Sequence, residues 1–130
     1  MAMEQASNHG MESCIAQCLE CYRVCSQMAL NHCLERGGRH VEPRHFRLML
    51  NCAQICRTAA DFMLAGSELH ARVCAVCAEV CEACAESCQG LDMPQCVEAC
   101  DLCAESCRQM ANPQPGRERA ALLQPAVTQM

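Results

Sequence analysis

Twelve of the sixteen cysteines of this 130-residue chain fall in a single pattern, CxxxCxxCxxxC, written three times. Cys14, Cys18, Cys21 and Cys25 form the first copy, Cys77, Cys81, Cys84 and Cys88 the second, and Cys96, Cys100, Cys103 and Cys107 the third. Steps that alternate between four and three residues keep side chains on one face of an α-helix, the seam that turns inward in a bundle. Each segment therefore points a row of sulfurs at one axis. Cys74 extends the second copy by one step, and Cys52 with Cys56 supplies a shorter version between the first two. Cys33 lies off the rows, near a helix end.

Glycines and prolines divide the chain into four segments of helical length. The first runs from about Met11 to Arg36 and stops at Gly37-Gly38; the second opens at Pro43 and closes before Gly66. Pro suits the first helical position and Gly the residue after a C-cap. Ser67 is placed to cap a third helix that ends at Gly90, and Pro94 opens a fourth that lasts to about Ala111. Joints this short force neighbouring helices to run antiparallel. The expectation is an all-α, up-down-up-down four-helix bundle over residues 1-112, followed by a flexible tail over 113-130 that carries three prolines and no apolar stripe.

A thiol count this high fits three kinds of chain. Inert packing is disfavoured, because Leu, Ile and Val bury more apolar area per residue than Cys does. A disulfide framework is disfavoured as well. Helical neighbours sit about 5 to 6 Å apart at Cβ, whereas a disulfide needs about 3.5 to 4.5 Å, and bridges between helices leave the CxxxC repeat within each helix unexplained. Metal binding accounts for the spacing, since two sulfurs joined through one ion span about 4.6 Å at ~2.3 Å per bond.

Charge and softness choose the ion. Thiolates select Cu(I), Zn(II) or iron-sulfur clusters over hard cations. One Cu(I) per thiolate cancels the charge of a sixteen-thiolate core, whereas Zn(II) held by four thiolates leaves each site anionic, and buried unpaired charge is costly. Iron-sulfur runs use tight loops closed by Pro, not helical spacing. Met11, Met28, Met63, Met93 and Met110 continue the cysteine rows with soft thioethers. Multiple Cu(I) ions are therefore the expected cargo, with a Zn or iron-sulfur protein and a redox-active thiol protein as alternatives. Enzymatic activity is not expected, because nothing singles out one Cys as an exposed, low-pKa nucleophile.

A formal charge of -5 with one Tyr, two Phe and no Trp offers no basic stripe or stacking platform for nucleic acid. No run of 18 apolar residues suggests membrane insertion, and the N-terminus lacks the pattern of a secretory signal. The expected setting is the reducing cytoplasm, where thiols stay free.

In HCLERGGRHVEPRHFRLMLNCAQICRTAADFM, CAVCAEVCEACAESC and CVEACDLCAESCRQM the chain resembles the cytosolic copper storage proteins. The resemblance covers about Cys14 to Met110. It implies a four-helix bundle that stores many Cu(I) ions along its core and assembles as a homotetramer. Where Ala59 and Met63 follow Cys56 on the row, sulfur is sparser.

Up-down-up-down topology brings the end of the first helix, the start of the second, the end of the third and the start of the fourth to one pole. His32 and His45 are seven residues from Cys25 and Cys52, and with Met49 and Cys33 they mark that pole as the route for copper. The other pole gathers Met11, Met63 and Met110 with His70. The expected metal residues are the sixteen cysteines together with His32, His45 and Met49.

Overall fold

A computed structural model describes the backbone of residues 2–111 and the side chains from Gly10 onward. Among these residues the chain forms helices joined by short turns, with no strand. The first helix, Ala2–Gln27, runs on through a π-helical turn at Met28–Cys33 into a last α turn at Leu34–Arg36. A short 3-10 segment, Gly38–Val41, leads to the second helix, Pro43–Leu64. His70–Gln89 and Pro94–Ala111 are the third and fourth. The first helix packs against the second and fourth, and the third packs against the same two. With joints this short, that ring of neighbours is an antiparallel up-down-up-down bundle.

All sixteen cysteines are buried with no exposed surface. On the second helix the inward row reads His45, Met49, Cys52, Cys56, Ala59 and Met63, all buried at steps of four and three. Small Ala side chains flank the sulfurs on the other helices, Ala29, Ala78, Ala85, Ala99 and Ala104 among them. They let the helices approach closely, so the sulfurs of facing rows come within contact of one another.

Pro43 opens the second helix as expected, and Glu42 caps it by accepting from the His45 N–H at 3.1 Å. Its far end closes in a Schellman motif, in which Gly66 N–H donates to Met63 O and Ser67 N–H to Phe62 O. Gly66 sits at φ +67 with nothing within 4 Å of an added Cβ. Gly66→Ala is therefore expected to cost about 1 kcal/mol from backbone strain alone. Gly90→Ala, at an ordinary right-handed φ of -70, should be neutral or slightly stabilising. Urea unfolding midpoints compare the two; equal shifts would contradict the assignment of strain to Gly66.

Two details differ from the expectations. The first helix begins at Ala2, not near Met11. The third begins at His70 with Leu69 at its N-cap, because Ser67 Oγ accepts from the Leu69 N–H at 3.0 Å and closes a separate turn first. The third helix ends at Gln89 with Gly90 as its C-cap, as expected, and the left-handed residue of the joint that follows is Asp92, at φ 56. The tail expected over 113-130 lies outside the described residues.

Candidate metal centre

The cysteine rows interlock into one continuous column of sulfur. Cys14, Cys74 and Cys107 form a group whose sulfurs all lie within 4.8 Å of one another, as do Cys18, Cys77, Cys103 and Cys107. Two further groups of the same kind are Cys21, Cys56, Cys81 and Cys103, and Cys21, Cys25, Cys52 and Cys100. Cys107, Cys103 and Cys21 each belong to two groups, so the four groups join end to end along the axis. Contacts across helices are short: Cys18 to Cys107 is 3.5 Å, and Cys25 to Cys100 and Cys56 to Cys103 are each 3.6 Å. At ~2.3 Å per bond, sulfurs around one ion stand about 3.8 Å apart if tetrahedral and about 4.0 Å if trigonal. The column thus offers such sites with little movement, and χ1 rotation opens a pair toward the ~4.6 Å of linear coordination.

Each thiol in the column takes its ionisation from its neighbours. Hydrogen bonds from Cys100 and from Cys107 draw Cys25 and Cys14, respectively, below the ordinary thiol range. Cys100, bonded to Cys21 and Cys25, and Cys107, bonded to Cys103 and Cys14, are pushed up. The thiols of a group therefore do not ionise independently, and a soft monovalent cation suits the place of their protons.

Towards the pole where the first and third helices end, the column changes composition. Cys33, Cys84, Cys88 and Cys96 stand outside the four thiol groups. Met49 Sδ lies 3.4 Å from Cys88 Sγ and 3.7 Å from Cys84 Sγ. Cys33 Sγ lies 3.8 Å from His45 Nε2 and 4.0 Å from Met93 Sδ. His45 is 3% exposed, and its Nδ1 pairs with Ser87 Oγ at 2.7 Å, which aims Nε2 at the sulfur. Burial and the nearby His40 lower its pKa, favouring the neutral imidazole that metals bind.

Of the expected metal residues, the structure brings the sixteen cysteines, His45 and Met49 into the core. His32 is turned out of it. The π turn at Met28–Cys33 takes more residues per turn than an α-helix, so the inward row proceeds from Cys25 through Ala29 to Cys33, all fully buried. His32 is left half-buried at the surface, edge-on to His40 with ring centroids 5.2 Å apart. Cys33, off the row by spacing, is on it in space. Ser87 and Met93 are the residues that the expected set lacks. Ser87 had a signal, since the string CAESC holds it here and recurs with Ser106 in the fourth helix.

The ionisation of Cys33 carries a pH prediction. Burial pushes its thiol up to about 11, from an ordinary value near 9. Above pH 9 the unfolded chain ionises there while the folded chain keeps its proton, so the unfolded state binds fewer protons. The stability of the copper-free chain should fall as pH rises from about 9 to about 11, with a shallower fall in Cys33→Ser. Urea midpoints across that window check it; identical slopes would contradict it.

The sequence model of the copper storage protein family matches residues 7–112. The chain belongs to this family. Among solved structures, this copper storage protein is similar to the Nmul_A1745 protein of Nitrosospira multiformis, with 55% identity and a TM-score of 0.81 over 82% of this chain and 99% of that one. It is 37% identical to the Cu(I)-bound copper storage protein BsCsp3, with a TM-score of 0.73 over 78% of this chain and 98% of that one. Apo copper storage protein 3 of Bacillus subtilis is likewise 37% identical, with a TM-score of 0.65 over 77% of this chain and 97% of that one.

Proposed function

We propose that this chain stores Cu(I), many ions at a time, along the sulfur column, and that it does so without catalysis. The observation that carries the reading is the end-to-end sharing of Cys107, Cys103 and Cys21 between neighbouring groups. A single-ion carrier has no use for sites that share ligands, whereas a store gains capacity from them. Storage in a closed core, with every thiol buried, also leaves no exposed nucleophile for enzymatic work. Metal analysis of protein from cells supplied with both copper and zinc tests the assignment. Copper should exceed about ten ions per chain on the basis of one soft monovalent ion per thiolate; a preparation dominated by zinc would contradict it.

Copper is proposed to pass the pole of His45 and Met49, where soft nitrogen and thioether ligands stand at the end of the thiol column. His32 keeps a part in this route at its outer edge, beside His40. Replacing His32, His45 and Met49 together with Ala should slow copper uptake and removal several-fold while total capacity stays within about two ions, since none of the thiolates that hold the load is replaced. Unchanged rates in both directions would contradict the route.

A homotetramer in the cytoplasm completes the proposal. Leu30, Leu34 and Leu102 are each at least half exposed, apolar surface of the kind that oligomers cover. No helix among the described residues is long and apolar enough to cross a membrane, and sixteen free thiols suit a reducing compartment. Light scattering on a sizing column measures the subunit number.

A further inference from the structure

A basic segment stands at the proposed uptake pole of an acidic protein. The chain has a formal charge of -5, yet residues 36–47 hold Arg36, Arg39, Arg44 and Arg47 against the single acid Glu42. All four arginines are exposed. They lie on the last turn of the first helix, the 3-10 segment and the first turns of the second helix, the elements that frame His45 and Cys33. Elsewhere, Arg23 pairs with Glu20, Arg108 pairs with Glu82 and Glu105, and Arg57 lies over the Tyr22 ring, while Arg72 stands alone without an ion pair among the described residues. Glu35, Glu42, Glu86 and Asp92 share the end of the bundle, but among the described residues none forms an ion pair with the four arginines. Arg39 instead reaches across the pole to donate to the Gly90 carbonyl at 3.2 Å.

Unpaired guanidiniums around a route for a cation would repel the bare ion. They suit a cation that arrives inside an anion. Cu(I) held by two thiolates carries a net negative charge whichever thiol supplies them, and any carboxylates on the thiol add to it. We propose that the four arginines form a docking collar for an anionic Cu(I) complex of a small, carboxylate-bearing thiol, and that this is the form in which copper reaches the pole. The proposal rests on the reading of that pole as the route for copper. The chain contains no lysine, and the arginine fork matches a carboxylate in two hydrogen bonds where an ammonium offers a point charge. Once the complex is held, His45 and the thiols behind it displace the carrier. Each carrier thiolate leaves with a proton given up by a core thiol, and copper stays Cu(I) throughout.

Two donors separate the collar from the route. Anaerobic stopped-flow loading is followed with the Cu(I)–glutathione complex, which is anionic, and with the Cu(I)–acetonitrile complex, which is cationic. In R36Q/R39Q/R44Q/R47Q, loading from the glutathione complex should slow by about tenfold or more and lose most of its salt dependence. Loading from the acetonitrile complex should be unchanged or faster. The variant R36Q/R44Q/R47Q keeps the Arg39 tie to Gly90 and should show the same selectivity to a smaller degree. Equal slowing with both donors, or no slowing with glutathione, overturns the collar. His45→Ala, run alongside, should slow both donors alike; if it slows neither while the arginine variants remain selective, the route falls and the collar stands as a docking surface elsewhere on the pole.

Discussion

Replacing the three shared thiols, Cys21, Cys103 and Cys107, with Ala should remove markedly more copper than three ions per chain. Each of them belongs to two neighbouring groups, so their loss opens all four groups and cuts the column at every junction. A control triple, Cys25, Cys74 and Cys81 to Ala, removes the same number of thiols from positions that belong to one group each and should lower capacity by about three, at one ion per thiolate. Both triples take away three buried sulfurs, and the small voids they leave should cost similar stability. Helical circular dichroism checks that both remain folded. Equal capacities in the two triples would mean that the groups fill independently and that sharing is an accident of packing.

Copper loading should raise the melting temperature by more than about 20 °C. An ion that binds only the folded chain adds roughly 2.7 kcal/mol for each site when free ion stands at a hundred times its Kd, and total stabilities of single domains are only about 5 to 15 kcal/mol. Two well-filled sites already shift a domain of this size by about that interval. The copper-free chain should nonetheless be helical at room temperature, because protonated thiols pack as small apolar groups between rows of Ala and Val. Circular dichroism melts with and without copper measure both. A copper-free chain without helical signal would make the ions the cause of folding, and an unshifted melt would place them outside the core.

Most of the bundle is legible in the spacing of Cys, Gly and Pro along the sequence. The second and fourth helices start at Pro43 and Pro94 for a local reason that does not depend on packing, since the ring fixes the first helical φ and lacks only an N–H that has no partner there. The π turn is less legible, because it satisfies the backbone much as an α turn does and is chosen by what it brings inward. Its trace in the sequence is the step of eight from Cys25 to Cys33, with Ala29 between. A step of seven places His32 on the row, whereas the structure buries Cys33 there. The aim of His45 is beyond spacing altogether, because it depends on Ser87 from the third helix, 42 residues away. The joint after the third helix needs a left-handed residue, as a Gly-bearing turn suggests, but that residue is Asp92, which tolerates the conformation nearly as Gly does.

Anaerobic titration of the reduced chain with Cu(I), with Zn(II) run in parallel, measures storage most directly. A core of sixteen buried thiols that each accept one soft monovalent ion should saturate near about sixteen Cu(I) per chain, with Zn(II) stopping at roughly a quarter of that number because four thiolates serve each ion. Saturation at one or two Cu(I) would contradict storage and return the chain to the class of single-ion carriers.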